Sequence, residues 1–215
     1  VNKLTSLEQA MSLITDGASI MVGGFLVVGT PVPFVDALVE RGVKDLTIIC
    51  NDAGYPDRGV GKLIVNRQVK RLIASHIGMN PEAGRQMNAG ELQVELVPQG
   101  TFVERIRCGG AGLGGFLTPT GVGTLVEEGK QKIDLEGRTY LLELALKADF
   151  ALVYAHQADT MGNLVYRRSI RNFNPVMAMA SRTTIALARE VVPAGQIDPD
   201  HVMTPGIVVD HIVKA

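Results

Sequence analysis

Residues 18–50 restrict the fold more than any other stretch. Ala18 to Val22 is a short apolar run of strand length, and the glycine-containing loop Gly23 to Gly29 follows it directly. Thr30-Pro31 opens a helix, because the first helical turn has no use for the N–H that proline lacks. Val35, Leu38 and Val39 give that helix an apolar face, and Gly42 stands where a left-handed closing residue belongs. Leu46 to Cys50 is the next apolar run. Strand, loop, helix, strand is a βαβ unit, and such a crossover pairs its two strands in parallel. The expected fold class is therefore α/β: a mainly parallel sheet with helices on both faces.

The rest of the chain extends this pattern less regularly. Thr5-Ser6-Leu7-Glu8 reads as a capping box ahead of Leu7, Ala10, Met11 and Ile14 at helical spacing. Val69 to Ala74 is a strand with interleaved basic residues, and Asn80-Pro81 starts a helix that ends near Gly90. Leu92, Val94 and Leu96 alternate with Gln93 and Glu95, the mark of a strand with one wetter face, and Pro98 ends it. Residues 109–124 hold seven glycines without a period and read as a long ordered loop. Lys132 to Leu142 is a hairpin about Glu136-Gly137. Phe150 to Ala155 is a buried strand, Asn174-Pro175 opens a helix, and Thr184 to Leu187 and Ile207 to Val213 are late strands. With no linker and no repeat, residues 1–215 are expected to form one domain with a small β excursion near residues 110–145.

Charge and composition exclude several functions. Lys and Arg number 21 against 22 Asp and Glu, so no basic field exists to hold nucleic acid or an acidic membrane surface. No apolar run approaches the length of a membrane span. His76, His156, His201 and His211 are scattered, and no compact ligand set for a metal is present. Cys50 and Cys108 stand in apolar or glycine-rich contexts; reduced thiols and a cytoplasmic location are the expectation.

The segment that promises chemistry is Gly23-Gly24-Phe25-Leu26-Val27-Val28-Gly29-Thr30-Pro31, a G-G-F-x-x-x-G-x-P run straight after a strand. Ligands of open α/β sheets bind beyond the carboxyl ends of the strands. Glycines there let backbone N–H groups approach a bound group, and the following helix start adds unpaired donors and a partial positive charge. A tight strand-to-helix turn with nothing bound accounts for the same residues.

Further motifs stand in order: Asn51-Asp52-Ala53-Gly54, Ser75-His76-Ile77-Gly78, Val97-Pro98-Gln99-Gly100-Thr101, Glu104-Arg105-Ile106-Arg107, the glycine-rich run Gly109 to Thr124, Gly162-Asn163-Leu164, and Arg171-Asn172-Phe173-Asn174-Pro175. Together with the Gly-Gly-Phe segment, this set resembles the α subunits of family I CoA-transferases from about residue 4 to residue 213. Within that family it is most similar to acetate or butyrate–acetoacetate CoA-transferase α subunits.

The resemblance implies that coenzyme A is a substrate, with no tightly bound cofactor, and that the chain works with a β subunit in an α2β2 assembly. It implies a glutamyl-CoA thioester intermediate whose glutamate lies on the β subunit, in a Ser-Glu-Asn-Gly-type segment that this chain lacks. It carries a CoA-contact role onto Gly23, Gly24, Phe25, Leu26, Val27, Val28 and Gly29. Gln99, read as the end of a strand, and Asn51, after the second strand, are candidate donors to an acyl oxygen; a local turn or cap role fits each as well. Leu26-Val27-Val28 either lines an acyl slot or packs beneath the loop. Glu104, Glu127, Glu128 and Glu143 read as solvated or ion-paired carboxylates. Gly110 to Gly115 satisfies G-x-G-x-x-G but lacks the preceding strand and following helix of a dinucleotide site. Arg167, Arg168 and Arg171 form a basic cluster that faces solvent or a CoA phosphate. Alternatives are a succinyl-CoA or 3-oxoadipate transferase subunit, a non-catalytic CoA-binding or regulatory module, and a stand-alone enzyme such as a sugar-phosphate isomerase.

Overall fold

A computed structural model describes residues 2–215. In chain order the first half contains α1 (Leu7–Ser12), β1 (Ser19–Val22), α2 (Val32–Arg41), β2 (Leu46–Ile49), α3 (Gly61–Val65), β3 (Val69–Ala74), α4 (Pro81–Asn88), β4 (Gln93–Leu96) and α5 (Gln99–Gly110). The second half contains β5 (Gly115–Thr118), β6 (Lys132–Leu135), β7 (Arg138–Leu144), β8 (Ala148–Asp159), β9 (Leu164–Val165), α6 (Asn174–Met179), β10 (Ser181–Val192) and β11 (His211–Lys214).

The main sheet runs β11-β10-β8-β1-β2-β3-β4, parallel throughout, and β9 adds to β8 in the antiparallel sense. The chain winds outward from β1 to β4, then returns to lay β8, β10 and β11 on the other side of β1. The direction of winding thus reverses between β1 and β8, and at such a point the loops beyond the carboxyl ends part to leave a crevice.

Both faces of the sheet are covered. Ile20, Val22, Ile48 and Leu72 pack into one core with Met11, Phe34, Leu38 and Leu63, which brings α1, α2 and α3 to that face. Their strand neighbours Met21, Ile49 and Ile73 point the other way, into a core with Phe102, Ile106 and Met177 from α5 and α6. Successive side chains of a strand point to opposite faces, so strands buried on both sides read as unbroken apolar runs. A separate three-stranded antiparallel sheet, β5-β7-β6, is the β excursion. Glu136 (φ 50°) and Gly137 (φ 77°) form its hairpin turn, both left-handed as a tight two-residue connection requires.

Several expectations shift. The cap of α1 is Ser6, not Thr5: Ser6 Oγ accepts the Gln9 N–H at 3.1 Å, and Gln9 replaces Glu8 as the reciprocal partner. The run from residue 109 is not one long loop. Gly109 and Gly110 close α5, and Gly115 begins β5. These glycines serve close packing: a Cβ at Gly109 would lie 2.1 Å from the Leu146 carbonyl oxygen, and one at Gly115 would lie 2.3 Å from that of Glu143. Gln99 is the first residue of α5 rather than the end of a strand, because Val97-Pro98 already leads away from β4. The expected strand from Ile207 is shorter. Gly206–Val208 is a 3₁₀ turn with Ile207 88% exposed, and pairing begins only at His211. Strands β8 and β10 are longer than their apolar centres and pair from Ala148/Ser181 to Asp159/Val192. Among the described residues no helix is long and apolar enough to cross a membrane.

Candidate functional site

The loops that leave β1, β2, β3 and β4 meet beyond the carboxyl edge of the sheet. They enclose a cavity of about 440 Å³ lined by Phe25, Leu26, Asn51, Asp52, Ser75, His76, Met79 and Gln99. Four parallel strands deliver these residues, one short segment each. Parallel pairing places all four strand ends on the same side.

The loop after β1 turns tightly. Phe25 and Val28 each donate a backbone N–H to the other's carbonyl at 3.0 Å. Leu26 sits between them at φ 56°, a left-handed conformation that a branched side chain adopts only under constraint. Part of the constraint is visible: the Leu26 N–H donates to Asp52 Oδ2 at 2.8 Å. Asp52 is 4% exposed, and it also accepts from Asn51 Nδ2 at 2.8 Å and from the Gly54 N–H at 3.0 Å. Ser75 Oγ in turn lies 2.8 Å from the Asn51 carbonyl oxygen and 3.0 Å from Asn51 Oδ1. A chain of hydrogen bonds therefore runs from the end of β3 through Asn51 and Asp52 to the turn after β1. Cys50 lies just beneath, fully buried; burial and the neighbouring Asp52 charge push its thiol well above the usual range.

From the far side two asparagines clasp the same loop. Asn172 Nδ2 donates to the Val28 carbonyl at 2.9 Å. Asn174, with no exposed surface, donates to the carbonyls of Gly29 at 3.0 Å and Ile170 at 2.7 Å, while its Oδ1 accepts the Tyr154 N–H at 2.9 Å. The glycines of the loop make room for these contacts. A Cβ at Gly23 would lie 1.9 Å from Asn174 Oδ1, and one at Gly24 would lie 2.0 Å from Thr30 Oγ1.

Of the residues singled out in the sequence, Phe25, Leu26, Asn51 and Gln99 come together in the cavity. Gly23, Gly24, Val27, Val28 and Gly29 belong to the same loop but do not line it. Val27 packs toward Gly59, and Val28 is 47% exposed. Glu104, Glu127, Glu128 and Glu143 all lie elsewhere. Glu143 is 1% exposed and lies 2.5 Å from Lys130 Nζ, Glu127 pairs with Lys132 at 2.6 Å, and Glu104 pairs with Arg107 at 2.6 Å. Sequence reasoning assigned no role to Asp52, Ser75 or Asn174. The signal was a polar pair directly after an apolar strand for Asp52, and the Asn-Phe-Asn-Pro run for Asn174. Among the described residues no group of three or more His, Cys, Asp or Glu could hold a metal ion.

What the cavity offers is an apolar wall from Phe25, Leu26 and Met79, amide groups from Asn51 and Gln99, and one carboxylate whose oxygens already accept three N–H bonds. That set can bind and orient a carbonyl compound, and it holds no unengaged carboxylate to attack one.

The chain is similar to known proteins along nearly its whole length. Residues 4–215 match the family described as Coenzyme A transferase. The chain is 58% identical over 211 residues to the acetate CoA-transferase subunit alpha of Escherichia coli K12, covering 98% of this chain and 96% of that one. It is 52% identical over 213 residues to the acetoacetyl-CoA:acetate/butyrate CoA transferase alpha subunit of Clostridium acetobutylicum, covering 99% and 98%. Among solved structures, the acyl-CoA transferase of E. coli O157:H7, in a thioester complex with CoA, superimposes with a TM-score of 0.87 at 21% identity. All of this chain is covered there, but the chain spans only 47% of that longer one. The fold, the glycine loop at the carboxyl edge of the sheet and the match over nearly the whole length agree: the chain belongs to the coenzyme A transferase family.

Proposed function

We propose that this chain is the α subunit of a short-chain CoA-transferase, moving CoA between acyl-CoA such as acetoacetyl-CoA or butyryl-CoA and a free acid such as acetate. The observation that carries this reading is the cavity at the carboxyl ends of β1 to β4, which supplies amide donors and an apolar wall but no carboxylate free to react. The attacking glutamate comes from a β subunit. Its carboxylate oxygen adds to the acyl carbonyl and expels CoA thiolate, leaving a mixed anhydride. The thiolate then attacks the glutamyl carbonyl and releases the acyl group as a free carboxylate. The glutamyl-CoA thioester that remains is resolved by the acceptor acid through the same two steps in reverse.

Each addition puts negative charge on a carbonyl oxygen, and donors aimed at that oxygen lower the barrier. On this chain the Gln99 amide and the second N–H of Asn51 serve that purpose. Asn51 is the more rigid of the two, because Ser75 and Asp52 hold it from both sides. Phe25, Leu26 and Met79 favour short apolar acyl chains over a substrate with a second carboxylate. Of the loop Gly23 to Gly29, Phe25 and Leu26 form the wall along which the thioester end of CoA lies, and the other five residues shape the turn that presents them.

Co-expression with a β subunit of the same family tests the reading. The assembly is expected to convert acetoacetyl-CoA and acetate to acetyl-CoA and acetoacetate, and this chain alone is expected to convert none. Full turnover by the isolated chain would overturn the proposal.

A further inference from the structure

The cavity at the carboxyl ends of β1 to β4 is lined by one ionisable side chain that the proposed transfer leaves unused, His76. It stands just past β3, and its backbone is fixed: the carbonyl accepts the Ala53 N–H at 3.0 Å, and the residue bridges Asp52 in the parallel sense. The imidazole is exposed at the cavity mouth and, among the described residues, makes no hydrogen bond and no ion pair. Its polar neighbours are engaged. Asp52 accepts three N–H groups, and Ser75 Oγ is bonded to Asn51. Gly78 leaves the ring its space, since a Cβ there would lie 3.0 Å from His76 Nε2. Beside the amides of Asn51 and Gln99, the imidazole is the side-chain donor that the cavity keeps open.

Strand order sets what this donor can reach. Strand β3 lies between β2 and β4, so His76 stands between Asn51 and Gln99 along the edge of the sheet. Adjacent strands are about 4.8 Å apart, and donors at that spacing can address two oxygens of one small molecule. With Asn51 and Gln99 serving the thioester carbonyl, what suits His76 is a second oxygen close to the first. A 3-oxoacyl group carries such an oxygen across a single methylene, and a saturated chain of the same length carries none. A second carboxylate suits the place less well, because Asp52 lines the same cavity and no Lys or Arg does. Imidazole presents an N–H in its neutral and its protonated form alike, so a bond to a ketone oxygen does not depend on its charge.

We propose that His76 is a specificity-determining residue: its imidazole N–H donates to the 3-oxo oxygen of a 3-oxoacyl-CoA and selects that class over a saturated acyl-CoA of the same length. This assignment rests on the transferase reading and chooses between two acyl classes that the reading admits together. A site that hydrogen-bonds one substrate leaves its donor unpaired against the analogue that lacks the oxygen, and discriminates on that ground. The cavity mouth is open to water, which can pair the donor in its place, so the preference is moderate rather than absolute.

Steady-state transfer to acetate by the assembled enzyme, from acetoacetyl-CoA, butyryl-CoA and succinyl-CoA in parallel, reads the preference as a ratio of kcat/KM values. His76→Phe keeps a flat ring without an N–H. His76→Asn and His76→Gln carry amide N–H groups near the places of Nδ1 and Nε2. We expect His76→Phe to lower the ratio of acetoacetyl-CoA to butyryl-CoA about tenfold, the worth of roughly one hydrogen bond, and one of the two amide variants to keep most of it. A ratio that His76→Phe leaves unchanged, or that neither amide variant keeps, overturns the proposal. So does a loss confined to succinyl-CoA, which would put a second carboxylate against His76. Wild-type assembly that transfers from none of these esters would contradict the transferase reading and this one with it. Wild-type transfer whose ratio His76→Phe does not move would contradict this one alone.

Discussion

Asp52 Oδ2 accepts the backbone N–H of Leu26 at 2.8 Å, and this single bond joins the end of β2 to the strained turn that follows β1. The same oxygen receives Asn51 Nδ2, while Oδ1 takes the Gly54 N–H. Replacing Asp52 by Asn puts an NH2 group where one of these donors points. A buried donor left facing another donor costs about 1–3 kcal/mol. We expect Asp52→Asn to lower kcat/KM of the assembled enzyme about ten- to a hundredfold, because the turn that shapes the cavity is no longer held. Steady-state kinetics beside a thermal melt checks this. Wild-type kinetics in the variant would show that the turn holds itself.

Gly23 and Asn174 form a second such pair. A methyl group on Gly23 would lie 1.9 Å from Asn174 Oδ1, too close for either to stay in place. Gly23→Ala therefore expels the Asn174 amide and breaks its bonds to Tyr154 and Gly29. The expected loss of stability is about 1–3 kcal/mol, the usual cost of overpacking. Urea denaturation of Gly23→Ala, Asn174→Ala and the double variant tests the contact. Non-additivity, with the double variant less destabilised than the sum, is predicted. Strict additivity would contradict it.

These two pairs also mark where the sequence stops being informative. The βαβ unit was legible because each element has a local signal: an apolar strand, Pro31 at a helix start, Gly42 in the left-handed closing position at φ 65°. Strand β3 spans Val69–Ala74 as expected, and the hairpin turns at Glu136-Gly137. Helix α3 had no such signal, being five residues long with Gly61 at its start. Gly61 is there because a Cβ would lie 1.9 Å from the Tyr55 carbonyl oxygen, a tertiary fact. Gly109 and Gly115 misled for the same reason, since glycine reads locally as a turn whether or not it serves close packing. Asn51 and Gln99 were legible as candidates because they stand near strand ends, and both line the cavity. Asp52 and Asn174 act on loops 26 and 145–151 residues away in sequence, and spacing carries no trace of such contacts.

Cys50 and Cys108 are both buried, and the Cys50 thiol is further disfavoured as thiolate by burial and by the Asp52 charge. The thiolate is the reactive form. Neither cysteine is expected to react with Ellman's reagent in the native protein at pH 8, and both are expected to react in 8 M urea. A fast native thiol would show that the loop above Cys50 opens readily.

Acid should act through Glu95. Burial opposes its ionisation, but Arg105 at 2.7 Å and Arg71 at 2.6 Å outweigh burial and hold the carboxyl below its ordinary range. A carboxylate whose folded pKa is depressed contributes stability above its unfolded value, about 4.3 for Glu, and loses it as pH falls through the folded value. Wild type should therefore lose more stability between pH 5 and pH 3 than Glu95→Gln does. Urea midpoints at pH 7, 5, 4 and 3 compare the two. Parallel curves would contradict the role of the pair.

In the proposed reaction this chain shapes and grips the substrate while another chain attacks it. Borohydride reduction of the assembly during turnover of acetoacetyl-CoA, followed by peptide mass spectrometry, reads that division directly, because hydride converts a glutamyl thioester to an alcohol. The modified glutamate is expected on the β chain and none on these 215 residues. A reduced carboxyl on this chain, at Glu104, Glu143 or any other position, would contradict it.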